Sequence, residues 1–165
     1  MTALRAVIHD PKRVSATRFT AEINRLRASL RGHHGEDLLT TVRREVERLP
    51  AAALVADNSQ RYVAGNAAAV DLTGYSQVEL GGLSVIDLTP MPNTDDGRRL
   101  WETFIGQGGQ RGEYELATKD GPPVRVRYWA FASVAPGLHV SLLVPVDRAD
   151  TEPAQGSGTD GWQSR

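Results

Sequence analysis

Histidine is the residue in this chain best suited to bind a metal or transfer a proton at neutral pH, and the sequence contains four. His9 lies near the N-terminus, His33 and His34 are flanked by glycines, and His139 lies in a predicted strand. No spacing among them would bring several imidazoles to one metal ion. We therefore predict that the chain has no metal site and that His33 and His34 lie in a solvated loop.

The residue types that carry catalysis also lack the spacing that catalysis needs. Serine, histidine and acidic residues are scattered, with no nucleophile motif, phosphate-binding loop or paired carboxylates. The glycine-rich segment 106–112 lies between a predicted helix and a predicted strand, the reverse of the order in a dinucleotide fingerprint. We therefore predict that the protein is not an enzyme.

Composition restricts the class of protein further. The 165 residues, 40% of them hydrophobic, fit one soluble domain with appendages. The 19 basic and 20 acidic residues nearly cancel, so no overall charge attracts nucleic acid or an anionic membrane. No cysteine is present, which excludes disulfides and thiolate chemistry, and no apolar run has the length of a membrane span. We expect a cytoplasmic protein that binds neither nucleic acid nor membrane.

Residues 62–90 combine a strand with several helix starts and ends in the run YVAGNAAAVDLTGYSQVELGGLSVIDLTP. Asn66 precedes strong helix formers, so its side chain is predicted to cap a helix, and its replacement by alanine to cost about 1 kcal/mol. Gly74 favours the left-handed backbone that ends many helices. Ser76 can cap one further helical turn, which a glycine pair then ends.

Turn residues between apolar runs predict five antiparallel strands. Residues 51–65 are predicted to form a hairpin, because the Asp-Asn-Ser side chains at 57–59 favour chain reversal. Turns at 119–121 and 135–137 divide the last part of the domain into a three-stranded meander. A helix before the meander is predicted from the apolar face Leu100, Trp101, Phe104 and Ile105.

Two amphipathic helices are predicted in the first part of the chain. The first carries the apolar stripe Phe19, Ile23, Leu26 and Leu30, and the second runs from about residue 36 to the residue before Pro50. The stripe either covers the outer face of the chain's own sheet or forms a dimer seam, and its spacing favours neither alternative. The predicted regions are a helical extension over 1–50, a domain over 51–147 and a disordered tail over 148–165, which is rich in Gly, Ser, Asp and Pro.

The order of features in residues 62–90 resembles the PAS domain family: an Asn cap before small residues, then GYS, EL, a glycine and a DLTP end. The resemblance continues through the following helix and three strands to residue 147. It implies an α+β PAS-like fold, a five-stranded antiparallel sheet with short helices on one face. The two N-terminal amphipathic helices are then an addition to this fold, and helices that flank PAS domains often mediate dimers.

Both faces of the central predicted strand of the meander carry bulky side chains, Tyr128 on one and Trp129 on the other. The resemblance places the Tyr128 face inward, where PAS domains have either a ligand cavity or a filled core. The candidate cavity residues are Leu100, Trp101, Phe104, Tyr114, Leu116, Tyr128, Ala130 and Leu142. The candidate interface residues are Phe19, Ile23, Leu26, Leu30, Trp129 and Phe131.

The resemblance implies a sensory or regulatory module that binds a small ligand and signals through helix packing or dimerisation. An apolar ligand would match the candidate cavity residues. The alternative is a ligand-free module for protein interaction and dimerisation. A homodimer and a signalling protein are the expected partners. The ligand's identity is unknown from the sequence. Haem held by a helix histidine is not expected, because the corresponding segment reads Gly97-Arg98-Arg99, and a flavin adduct would need a cysteine.

PAS relatives often pair an acidic residue at the position of Glu79 with a basic residue in the turn that here contains Lys119. The resemblance implies an ion pair that joins a short helix to the strand turn and closes a flap over the cavity. The alternative is two solvated charges far from each other.

Overall fold

Five antiparallel strands form one sheet in the order β2-β1-β5-β4-β3, which confirms the predicted fold. The computed structural model describes residues 16–89 and 94–146. The predicted disordered tail over 148–165 therefore lies outside the described residues. So does His9, which is predicted to take no part in a metal site. The strands are β1 (Ala52–Asp57), β2 (Tyr62–Gly65), β3 (Gly109–Leu116), β4 (Val124–Ala135) and β5 (Leu138–Pro145).

The predicted hairpin between β1 and β2 is confirmed, and local hydrogen bonds explain its turn. The Asp57 carboxylate accepts hydrogen bonds from the backbone N–H groups of Ser59 (2.8 Å) and Arg61 (3.1 Å). The chain then crosses from β2 at one sheet edge to β3 at the other. Because this connection spans the sheet, its helices cover one face, which we call the inner face.

In the part of the chain that the structure describes, the crossing connection contains four helices, and two further helices precede the sheet. The two preceding helices are α1 (Ala16–Leu30) and α2 (Gly35–Val46). The four in the connection are α3 (Ala67–Thr73), α4 (Gln77–Leu80), α5 (Val85–Leu88) and α6 (Thr94–Gln107). In the described part of the chain, no helix is both long and apolar enough to span a membrane.

The sheet separates two hydrophobic clusters, because successive side chains of a strand point to opposite faces. The inner cluster lies under the crossing connection and contains Leu54, Tyr62, Leu80, Leu88, Leu116, Val126, Tyr128 and Leu143, among others. The outer cluster contains Phe19, Ile23, Leu26, Leu30, Val42, Val46, Trp129, Val140, Leu142 and Val144, among others. Strand β4 contributes to both clusters and is therefore covered on both faces.

Helix α1 packs on the outer face of the sheet of its own chain, the first of the two alternatives for the apolar stripe. The rings of Phe19 and Trp129 meet edge to face, with their centroids 4.9 Å apart. Phe19 and Ile23 are 0% exposed, and Leu26 and Leu30 are 3% exposed. A guanidinium nitrogen of Arg27 also donates a hydrogen bond to the carbonyl of Ala132 (3.0 Å). Phe131, the sixth candidate interface residue, is partly buried against the same cluster.

The short helices begin and end where local sequence chemistry predicts. Gly74 follows α3 with a φ of 82°, the left-handed conformation that glycine adopts readily. Ser76 begins α4 with a reciprocal capping box: its hydroxyl accepts from the Glu79 N–H (3.1 Å), and the Glu79 carboxylate accepts from the Ser76 N–H (2.9 Å). Because each of these short helices has a defined start or end, the chain can change direction between them within the crossing connection.

Asn66 caps α3 as predicted, but it also joins three other parts of the fold. Its side-chain oxygen accepts from the N–H groups of Ala69 (3.0 Å) and Ala53 (2.9 Å). Its amide nitrogen donates to the carbonyls of Val46 (3.0 Å) and Ala51 (2.9 Å). All four hydrogen bonds of the amide are thus directed to backbone groups in α2, the next loop, β1 and α3.

Replacing Asn66 with alanine should therefore cost more than an ordinary helix cap. The substitution leaves buried backbone donors and acceptors without partners, and we expect the free energy of unfolding to fall by about 3 kcal/mol. Chemical denaturation of Asn66→Ala measures the loss. The matched control is Ser76→Ala, which removes an exposed cap and should cost about 1 kcal/mol. Equal losses of unfolding free energy in the two variants would contradict the conclusion that Asn66 stabilises several parts of the fold at once.

Candidate functional site

A cavity of about 130 Å³ lies between the inner face of the sheet and helices α5 and α6. All five strands contribute to its wall, so the sheet forms a continuous floor. The lining residues are Leu54, Ala56, Gln60, Tyr62, Val85, Ile86, Thr89, Gly97, Leu100, Trp101, Phe104, Gln110, Tyr114, Tyr128, Ala130, His139, Val140 and Ser141.

Aromatic rings form a large part of the cavity wall. Trp101 and Phe104 are three residues apart in α6 and therefore share one face of the helix, with ring centroids 5.5 Å apart. The ring of Trp101 also meets His139 edge to face at 5.4 Å. On the floor, Tyr114 and Tyr128 are diagonal neighbours across β3 and β4, with centroids 5.4 Å apart. The wall thus offers flat apolar surfaces in several orientations.

Among the residues whose side chains the structure describes, no aspartate, glutamate, lysine or arginine lines this cavity. Tyr62 and Tyr114 add no charge, since burial raises the pKa of Tyr114 to about 12 and the pKa of Tyr62 well above its ordinary value. A charged ligand would lose its hydration in this cavity without gaining a counter-ion. The electrostatics therefore suit an uncharged molecule.

His139 is buried at the cavity wall and is held in one neutral form. Its Nδ1 accepts a hydrogen bond from the Ser133 N–H (2.9 Å), so the ring proton lies on Nε2, which donates to the Asn58 side-chain oxygen (2.8 Å). Burial lowers the pKa of His139 below its ordinary value of 6.5, although the Asp57 carboxylate acts in the opposite direction. The ring links the β1–β2 turn to the end of β4.

Six of the eight candidate cavity residues line the cavity in the structure: Leu100, Trp101, Phe104, Tyr114, Tyr128 and Ala130. Leu116 belongs to the inner cluster without lining the cavity. Leu142 was assigned to the wrong face. It lies directly opposite Trp129 in the β4–β5 register and belongs to the outer cluster, because residues opposite each other in a sheet share a face.

The residues of β5 that do point inward were missed by the sequence analysis. His139 and Ser141 line the cavity, and Leu143 lies in the inner cluster, as the alternation from Leu142 requires. Tyr62, in the second strand of the predicted hairpin, was also missed as a lining residue. The register of β5 against β4 would have identified these residues, but the register requires the structure.

Glu79 and Lys119 form the ion pair implied by the resemblance, with 2.6 Å between the carboxylate and the ammonium nitrogen. The pair joins α4 to the turn between β3 and β4, and the Lys119 N–H also donates to the carbonyl of Thr73. Their mutual hydrogen bond lowers the pKa of Glu79 and raises the pKa of Lys119. Neither residue lines the cavity, so any effect of the pair on ligands is indirect.

Comparison with known proteins identifies the fold. A family model described as PAS fold matches residues 40–144, and no curated protein matches the sequence significantly. One similar solved structure is a domain of the sensory box sensor histidine kinase/response regulator from Geobacter sulfurreducens. The identity is 21%, the TM-score is 0.53, and the match covers 66% of this chain and 92% of that one.

Two further solved structures give similar values. The PAS domain of a protein from Colwellia psychrerythraea is 18% identical with a TM-score of 0.52, and the match covers 67% of this chain and 98% of that one. The LOV protein from Rhodobacter sphaeroides is 17% identical with a TM-score of 0.55, and the match covers 74% of this chain and 75% of that one. At these identities the comparison concerns the fold alone.

The buried neutral His139 predicts a loss of stability in mild acid. The unfolded chain takes up a proton near pH 6.5, whereas the folded chain resists protonation until a lower pH, so the free energy of unfolding should fall as the pH drops below 6.5. His139→Gln cannot titrate and should reduce this slope, as measured by urea denaturation at several pH values. His34→Gln, at an exposed position, should retain the wild-type slope. Identical slopes for His139→Gln and the wild type would contradict this account.

Proposed function

The chain belongs to the PAS family, and on that premise we propose that it is a sensory module whose cavity binds a small, largely apolar ligand. The observation that carries the proposal is the cavity of about 130 Å³ with aromatic and aliphatic walls, in which none of the lining residues described by the structure is charged. Cavities that persist in apolar cores without water are suited to apolar occupants. The ligand's binding energy would come mainly from removing apolar surface from water.

The cavity volume limits the size of the ligand. An engineered apolar cavity of about 150 Å³ binds benzene, whereas sites for drug-sized ligands are about 300 to 1,000 Å³. A volume of about 130 Å³ thus favours a ligand of one ring or a short aliphatic chain.

Larger prosthetic groups do not fit the residues present. A haem or a tricyclic flavin exceeds this volume, and the sequence has no cysteine for a flavin adduct. The histidine at the cavity wall, His139, has both ring nitrogens in hydrogen bonds to protein groups. Its imidazole is therefore not available as an axial ligand in this arrangement.

Strand β4 offers a physical route from the cavity to the N-terminal helices. Tyr128 and Ala130 line the cavity, while Trp129 between them packs against Phe19 of α1 on the opposite face. A ligand that displaces the inner side chains would shift the same backbone that carries Trp129. We expect the packing of α1, and with it the surface that a signalling partner meets, to depend on occupancy.

Ligand-free dimerisation is the second candidate function. A dimer through the predicted stripe would require α1 to leave the sheet of its own chain, since Phe19, Ile23, Leu26 and Leu30 are buried there. A homodimer would otherwise have to use a different surface. In either function, the Glu79–Lys119 pair would hold α4 against the β3–β4 turn and so restrain the inner layer.

A cavity-filling substitution tests the ligand proposal. Ala130→Leu adds apolar volume to the cavity floor and should weaken the binding of toluene at least tenfold, with the fold retained. Native mass spectrometry or calorimetry with toluene as the probe measures the effect. Ala28→Leu makes the same change at an exposed position in α1 and should leave toluene binding unaltered. Failure of the wild-type protein to bind toluene or any copurifying small molecule would contradict the proposal.

A further inference from the structure

Tyr62 has a hydroxyl group for which the described part of the chain supplies no hydrogen-bond partner. The residue is 6% exposed and lines the cavity from β2. Within residues 16–89 and 94–146, no hydrogen bond involves its hydroxyl, although its backbone N–H donates to the carbonyl of Leu83. Buried hydroxyl groups in proteins are nearly always hydrogen-bonded, so such a group requires an explanation.

Three polar residues of this wall, Gln60, Gln110 and Ser141, are only partly buried, so their side chains can hydrogen-bond to solvent. Two other polar side chains at the wall have partners within the protein. Both nitrogens of His139 are hydrogen-bonded to protein groups, and the Tyr114 hydroxyl interacts with the side chain of Thr89. Burial raises the pKa of Tyr62 well above its ordinary value, so its hydroxyl keeps its proton at neutral pH. The Tyr62 hydroxyl is therefore a hydrogen-bond donor without a protein acceptor among residues 16–89 and 94–146.

The surroundings of Tyr62 restrict what could accept this hydrogen bond. The acceptor must be carried by a molecule small enough for about 130 Å³, and a molecule without net charge fits best, because the lining side chains that the structure describes are all uncharged. The flat ring surfaces of Trp101, Tyr128 and His139 favour another aromatic ring, which can pack on them edge to face or offset.

We propose that the ligand is an uncharged single-ring aromatic molecule with an oxygen acceptor, such as a phenol, that binds with this oxygen at the Tyr62 hydroxyl. This inference rests on the proposed function, since it requires a ligand in the cavity. It adds the chemical class of the ligand and the residue that orients it. Tyr62 would then discriminate between rings of equal size by their polar substituent.

Phenol and toluene provide a matched pair of probes, because they have the same shape and differ in a hydroxyl and a methyl group. Their dissociation constants are to be measured by calorimetry for the wild type, Tyr62→Phe and Tyr75→Phe. Tyr62→Phe keeps the ring and removes only the hydroxyl, and it should weaken phenol binding about tenfold while toluene binds as well or better. Tyr75→Phe changes a tyrosine outside the cavity lining and should alter neither constant.

The outcomes separate this inference from the proposed function. If Tyr62→Phe changes the two dissociation constants by the same factor, or changes neither, the inference is overturned and the ligand-binding function stands. If benzoate binds the wild type as tightly as phenol, the requirement for an uncharged ligand is wrong. If the folded wild-type protein binds neither toluene nor phenol, both the inference and the proposed function fail.

Discussion

The burial of β4 on both faces is the constraint on which the rest of this structure depends. Tyr128 and Ala130 face the cavity, whereas Trp129 packs against Phe19 of the N-terminal helix. One strand thus belongs to two hydrophobic clusters. Repacking of the side chains in either cluster would therefore move the β4 backbone that also supports the other cluster. If the cavity binds a small ligand as proposed, this strand would connect the ligand to a helix on the opposite side of the sheet.

The cavity exists because the inner layer is built from short, separately capped helices. Asn66 fixes the start of this layer with four hydrogen bonds to backbone groups, and the Ser76 capping box redirects the chain ten residues later. Four-residue helices such as α4 and α5 present few side chains to the sheet. The aromatic residues of α6 therefore enclose a space that a longer packed helix would fill.

Features determined by local chemistry could be predicted from the sequence. The caps at Asn66 and Ser76 and the turn at Asp57 depend on side chains that bond to nearby backbone. The face of Leu142 could not be predicted, because β5 is buried on both faces and its more apolar side packs under the N-terminal helices, away from the cavity. Tyr62 and His139 were missed as lining residues because segments distant in the chain together form the cavity wall. The choice between packing α1 on its own sheet and placing it in a dimer seam likewise could not be predicted, because the same apolar stripe serves both arrangements.

Hydrogen exchange with and without toluene tests the central claim, that the cavity and α1 are connected through β4. At saturating toluene, the amides of Ala16–Leu30 should change their exchange rates together with those of α6, and the Ala130→Leu variant, with a filled cavity, should show no such change. A toluene effect confined to α5, α6 and the strands, with α1 unaltered, would contradict the connection.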